Sequence, residues 1–188
     1  MFPSADDDWA WIDYKESIDT LTLNGVTQGI LISLLSGLIV SRSLVVTLMA
    51  TFCISFIMFG VLSGIQDHGW EIGVTEQTMV FLMLAIILEY VMHVCYQYSQ
   101  SLQNNRMERM DFVFRQIGST ILGCTLLSVL SCSFLIASQA NFFYKFGTLM
   151  LSTVFRSSMV ALLFLPALLY IMGPSRTEVI NSVLSKRT

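Results

Sequence analysis

Charge is what this sequence has least of: Asp, Glu, Lys and Arg together make up 12% of its 188 residues, well below the ~25% usual in soluble domains. With 54% apolar residues and a mean hydropathy of +0.69, that shortage excludes a soluble globular domain and predicts an integral membrane protein. The formal net charge of -3 says little, because the charges are spread very unevenly. Catalytic signatures are missing as well. There is no G-x-x-x-x-G-K-S/T, no G-x-S-x-G, no H-E-x-x-H and no C-x-x-C, which leaves an enzyme reading without support. Two histidines and four cysteines do not make metal-ligand spacing, so no metal and no cofactor are expected, and no nucleic-acid signature is present. Cys53, Cys95, Cys124 and Cys132 lie in or beside hydrophobic runs, where cysteine reads as a small packing residue. The opening MFPSADDDWAWIDYKES also lacks the basic and apolar regions of a secretory signal. Either a short acidic tail crosses the membrane unaided, or the chain continues something longer.

What is present is a series of long apolar runs, and they predict an all-α membrane protein, a bundle of five transmembrane helices. Crossing ~30 Å of hydrocarbon takes about 20 residues of helix, and runs of that length fall near residues 21–40, 44–65, 78–98, 117–137 and 146–172. Residues 1–20 carry six acids and one base, with Trp9, Trp11 and Tyr14 among them; they predict an acidic, interfacial lead-in anchored by aromatics. The membrane domain then occupies 21–174, and a tail follows over 175–188. The longest polar connection, SLQNNRMERMDFVFRQ, interleaves Arg106, Arg109 and Arg115 with Met107, Met110, Phe112 and Phe114. That pattern predicts a short amphipathic connecting helix on the cytosolic membrane surface.

Small residues recur at helical spacing. Gly25, Gly29, Ser33 and Gly37 in the first run, and Gly60 with Gly64 in the second, form faces that let another helix approach closely. Pro166, inside the fifth run, predicts a kink, since its ring and missing N–H disturb the preceding turn. Gly173-Pro174 ends that helix.

Orientation follows from the bases. With the N-terminus outside, the inner segments hold Arg42, Arg106, Arg109, Arg115, Arg176, Lys186 and Arg187, and the outer ones hold Lys15 and Lys145. Seven against two is the positive-inside bias, so the N-terminus is expected to be extracytosolic and the C-terminus cytosolic.

The third run, VFLMLAIILEYVMHVCYQYSQ, carries the carboxylate of Glu89 near its middle and His93 one turn on. A charge at this depth costs roughly 2.5–3.5 kcal/mol on insertion scales, and such residues mark ion pathways. Glu89 and His93 are therefore candidate ion-coupling residues, a titratable pair able to bind a proton or a cation. Arg156 lies inside the fifth run, and counting ~1.5 Å per residue from the outer ends puts it at the depth of Glu89. An intramembrane ion pair between Glu89 and Arg156 is the expectation that accommodates both. If that pair only holds the helices together, the protein is a non-transporting structural subunit or a degenerate fragment.

Taken together, LAIILEYVMHV, NRMERMDFVFRQIGST, the FGTLML entry to the last run and its LPALLYIMGP ending resemble the C-terminal membrane half of the eukaryotic RND superfamily. Patched, Dispatched and the Niemann-Pick type C transporter are members. The family's G-x-x-x-D/E pattern, followed by an aromatic and then a histidine four residues after the acid, matches Glu89, Tyr90 and His93, with Ala85 in place of the glycine. The resemblance implies movement of a lipid, sterol or lipid-modified ligand, driven by a proton or sodium gradient. It also implies a partner, a preceding N-terminal half in the same chain or a separate subunit, met through the third run and the small-residue face of the first.

Overall fold

The computed structural model describes residues 5–41, 43–70, 73–101, 103 and 105–173, with residues 5–16 and 19 described as backbone only. The aromatic anchors Trp9, Trp11 and Tyr14, the side chain of Arg42 and the 175–188 tail lie outside the described residues or side chains. Among those described there is no strand, and five helices are long and apolar enough to cross a membrane: Thr20–Ser41, Leu44–Asp67, Val74–Gln100, Arg106–Ile136 and Asn141–Met172. These are called the first to fifth spans. The backbone of the acidic lead-in is helical and continuous with the first span, as one helix Ala5–Ser41.

The third span is the most enclosed, with 50% of its most apolar window buried, against 11% for the fourth and 17% for the first. The second, third and fifth spans thus form the centre, and the first and fourth flank it. Ile54, Ile57, Met58 and Val61 of the second span meet Met83, Ile87, Val91 and Val94 of the third in a continuous apolar core, which Val154, Ala161, Leu165 and Leu169 of the fifth complete.

The small-residue face of the first span is filled from within this chain. A methyl group at Gly25 would overlap the ring of Phe81, and one at Gly29 would overlap Leu84. Further along, a methyl at Gly37 would lie 2.9 Å from Thr47 Cγ2. Ser33 is buried on the same face. The expectation that this face meets a partner half is therefore corrected: side chains of the second and third spans already occupy the space the glycines leave.

Between the second and third spans the chain turns in a Schellman motif. Gly69 takes φ +63°, a conformation that favours glycine. Its N–H donates to Gln66 O, and Trp70 N–H donates to Ile65 O, closing the paired bonds of that motif. The Trp70 ring is covered by the Lys145 ammonium, 5.4 Å from its centroid. Lys145 also donates to Glu76 Oε1 at 2.6 Å, with the two side chains 20% and 9% exposed. This mostly enclosed pair ties the start of the third span to the start of the fifth.

The connecting segment differs from expectation. Arg106–Val113 is a helix, but it runs through a π-helical turn, Phe114–Gly118, directly into Ser119–Ile136, so it forms the first turns of the fourth span and not a separate surface helix. Arg109 is buried: its Nε donates to Ser101 Oγ at 2.8 Å, its Nη2 to Tyr98 O at 3.0 Å, and its guanidinium stacks on the Tyr98 ring. Arg106 Nη1 donates to Ile171 O at 2.9 Å. Both donate to carbonyls in the last turn of a helix, where a cation is also favoured by the helix dipole.

A second π-helical turn, Val160–Phe164, directly precedes Pro166, and Leu165 N–H donates to Val160 O. Proline cannot supply an N–H and crowds the carbonyl one turn earlier, and a wider turn relieves both problems. At the end of this helix Gly173 is extended, φ -62° and ψ 142°, the conformation favoured in a residue before proline.

Two stability predictions follow from this packing. A Cβ at Gly147 would sit 2.9 Å from Leu135 Cβ and 3.1 Å from the Ile136 backbone nitrogen, whereas nothing lies within 4 Å of one at Gly123. Gly147→Ala should lose about 1–3 kcal/mol by overpacking the fourth–fifth hairpin, and Gly123→Ala should not, as read by thermal unfolding in detergent. Lys145→Ala should cost about 3–5 kcal/mol by leaving the Glu76 carboxylate enclosed and unpaired. The double change Glu76→Gln with Lys145→Met should cost clearly less than the sum of the two single changes in the same assay.

Candidate functional site

Helical spacing sets the site. Leu82, Ala85, Glu89, His93, Tyr96 and Gln100 fall three or four residues apart, on one face of the third span, and all six are exposed. The Glu89 side chain is 70% exposed and that of His93 64%. Among the described residues nothing covers the stripe, and it includes both ionisable residues singled out from the sequence. Ala85, where the family pattern has glycine, lies one turn before Glu89 on the same uncovered face.

Glu89 Oε1 and His93 Nε2 are 4.0 Å apart, beyond hydrogen-bond length but within the range of a charge pair when the imidazole is protonated. Beside them is a cleft of about 380 Å³ between the third, fourth and fifth spans. Glu89, Tyr90 and His93 form one wall, Thr120, Cys124 and Ser128 another, and Met150 and Val154 close the back. Thr125 Oγ1 donates to Ile121 O at 2.8 Å, so the 3.3 Å contact between the Tyr90 and Thr125 hydroxyls has Tyr90 as donor. That bond holds the third span to the fourth at the level of Glu89. Chemically, the cleft offers a carboxylate able to take up a proton or a cation, an imidazole one turn away, and hydroxyls able to solvate either. The fourth-span wall is legible in the sequence, since Thr120, Cys124 and Ser128 recur every four residues on one helix face.

Glu89 and Arg156 are not brought together, and the expected ion pair is corrected. Arg156 Nη1 donates to the Gly60 carbonyl of the second span and lines a different cleft, with Phe56, Phe59, Phe155 and Met159. The reason is rotation and not depth. Val154 faces the Glu89 cleft, and Arg156, two residues on, points about 200° away around the helix.

Gly60 and Gly64 acquire a specific role from this arrangement. A Cβ at Gly60 would lie 3.1 Å from Arg156 Nη1, and one at Gly64 3.8 Å from it, so these glycines make room for a guanidinium. The four cysteines are free thiols, and Cys124 alone of them is exposed. Among the described residues no three His, Cys, Asp or Glu side chains converge on one point.

Comparison with known proteins agrees with this architecture. Residues 13–184 match the MMPL family. The chain is 20% identical over 165 residues to mouse protein dispatched homolog 1, and 19% identical over 165 residues to the human protein of that name. In each case the match covers 88% of this chain and 11% of the relative, so the chain spans about a tenth of the length of the curated relatives it matches. With a family match over nearly its whole length and five spans carrying the expected motifs in order, this chain belongs to the MMPL family, and it is a multi-pass, RND-type membrane protein of the Patched- and Dispatched-like kind.

Proposed function

We propose that this chain is the C-terminal membrane half of a cation-coupled transporter of a lipid, a sterol or a lipidated ligand, with H+ or Na+ as the coupling ion. Glu89 is the coupling carboxylate and His93 its partner in proton exchange. The observation that carries this reading is the exposure of both side chains on an uncovered stripe of a membrane helix, beside a cleft of about 380 Å³. A carboxylate on such a helix faces protein or a water-filled path, because hydrocarbon solvates it poorly. The surface that completes the path is a preceding N-terminal half, in the same chain or in a separate subunit, packed against the stripe of Ala85, Glu89, His93 and Tyr96.

The MMPL match and the similarity to protein dispatched homolog 1 support a transporter over an enzyme. A purely structural role would draw its strength from a Glu89–Arg156 pair, and Arg156 instead donates to Gly60 O. For orientation we propose an extracytosolic N-terminus and a cytosolic C-terminus, on the balance of seven bases against two. In that orientation Arg106 and Arg109 cap helix ends on the cytosolic side.

The test uses the complete protein containing this chain, reconstituted in liposomes, with transfer of a fluorescent sterol or lipid followed under an imposed proton or sodium gradient. Glu89→Gln keeps the side-chain shape and removes the charge. It should bring the rate down to the level seen without a gradient, while the protein still elutes as a folded species. A gradient dependence unchanged in Glu89→Gln would sink the coupling role.

A further inference from the structure

Arg156 is the sixteenth residue of the 32-residue helix Asn141–Met172, which puts it roughly 22–24 Å from either end. A guanidinium carries five N–H donors and cannot shed its charge. Among the described residues its hydrogen bond goes to Gly60 O and it forms no ion pair. The remaining donors face a cleft of about 350 Å³ between the second and fifth spans, walled by Phe56, Phe59, Phe155 and Met159. These four side chains are all exposed, so the cleft opens sideways, toward the region the bilayer would fill.

From this geometry we infer that the Arg156 cleft is a binding site for a long-chain carboxylate, an anionic amphiphile of the fatty-acid class. Charge complementarity selects the head. A carboxylate receives two parallel N–H donors from one guanidinium in a planar fork, and those are the donors Arg156 has left. Depth selects against a phosphate headgroup, which would have to carry its charge and hydration to the middle of the membrane. A carboxylic acid can enter as its neutral form and ionise beside the arginine.

The walls select the tail. Phe56, Phe59, Phe155 and Met159 offer apolar and aromatic surface continuous with the lipid, and the volume is at the small end of the range for small-molecule sites. It suits a chain, whereas a helix with its side chains is about 10–12 Å across. Gly60 and Gly64 form the floor on which the guanidinium rests. The site is separate from the Glu89 cleft, on the far side of the fifth span, and does not rest on ion coupling at Glu89.

The experiment uses the complete protein in phosphatidylcholine nanodiscs, labelled with a palmitate that carries a diazirine in its chain, with the labelled peptides located by mass spectrometry. The expected result is saturable labelling of residues 56–60 and 155–159, displaced by palmitate and not by methyl palmitate, which has the same tail without the charge. Labelling of these segments should be lost in Arg156→Gln. It should also be lost in Met159→Trp, which fills the cleft but keeps the guanidinium and decides the matter should Arg156→Gln fail to fold. Equal displacement by methyl palmitate overturns the proposal, as does labelling that survives in the folded variants. So does the absence of saturable labelling in the unaltered protein, the outcome if a carboxylate of another transmembrane helix occupies the guanidinium.

Discussion

Within hydrocarbon a polar group has no water to bond to, and this constraint shapes the bundle beyond making every span a helix. Backbone carbonyls in the last turn of a helix, and arginines that cannot lose their charge, complement each other here. Arg109 takes the Tyr98 carbonyl at the end of the third span, and Arg106 takes the Ile171 carbonyl at the end of the fifth. Both arginines sit one turn apart at the start of the fourth span, so one short segment registers three helices. Arg156 repeats the arrangement halfway along the fifth span, where Gly60 leaves its carbonyl reachable.

The same economy explains where the helices depart from regular α geometry. π-helical turns occur at Phe114–Gly118 and at Val160–Phe164, and Phe114, Leu162 and Leu163 from these two turns line one groove with Pro166 and Met110. Widened turns free or redirect carbonyls locally and often mark sites where helices shift. Here one turn accommodates Pro166, and the other joins the arginine-bearing segment to its span. Both lie in the fourth and fifth spans, which form the far wall and back of the Glu89 cleft. That cleft is thus bounded on one side by the tightly packed third span and on the other by the least buried helix of the bundle.

Much of this was legible in the sequence. The five spans appear as apolar runs of the right length, and their observed ends differ from the expected ones by a few residues in most cases. The fourth is the exception, because its helix begins in the polar Arg106–Val113 stretch that hydropathy excludes. The glycine and serine spacing in the first span announced a close contact correctly but did not say with what: Phe81 and Leu84 of the same chain fill it. Glu89 and His93 share a face because they are four residues apart. The enclosed Glu76–Lys145 pair, 69 residues apart in the chain, carries no local signal.

Arg156 marks the boundary between the two kinds of knowledge most clearly. Its depth, matched to that of Glu89, follows from counting residues along a helix of fixed rise, and so do the number of spans, their lengths and the grouping of Glu89 with His93. These are local properties, set by hydrophobic length and helical period, and the sequence by itself determined them. Which way each helix turns about its axis was decided only by the tertiary structure, because that depends on how distant side chains fit: Phe81 against Gly25, Leu135 against Gly147, a guanidinium against Gly60. Rotation about the fifth span sends Arg156 to the second span and leaves Glu89 uncovered on the third, so two charges at one depth face two separate clefts.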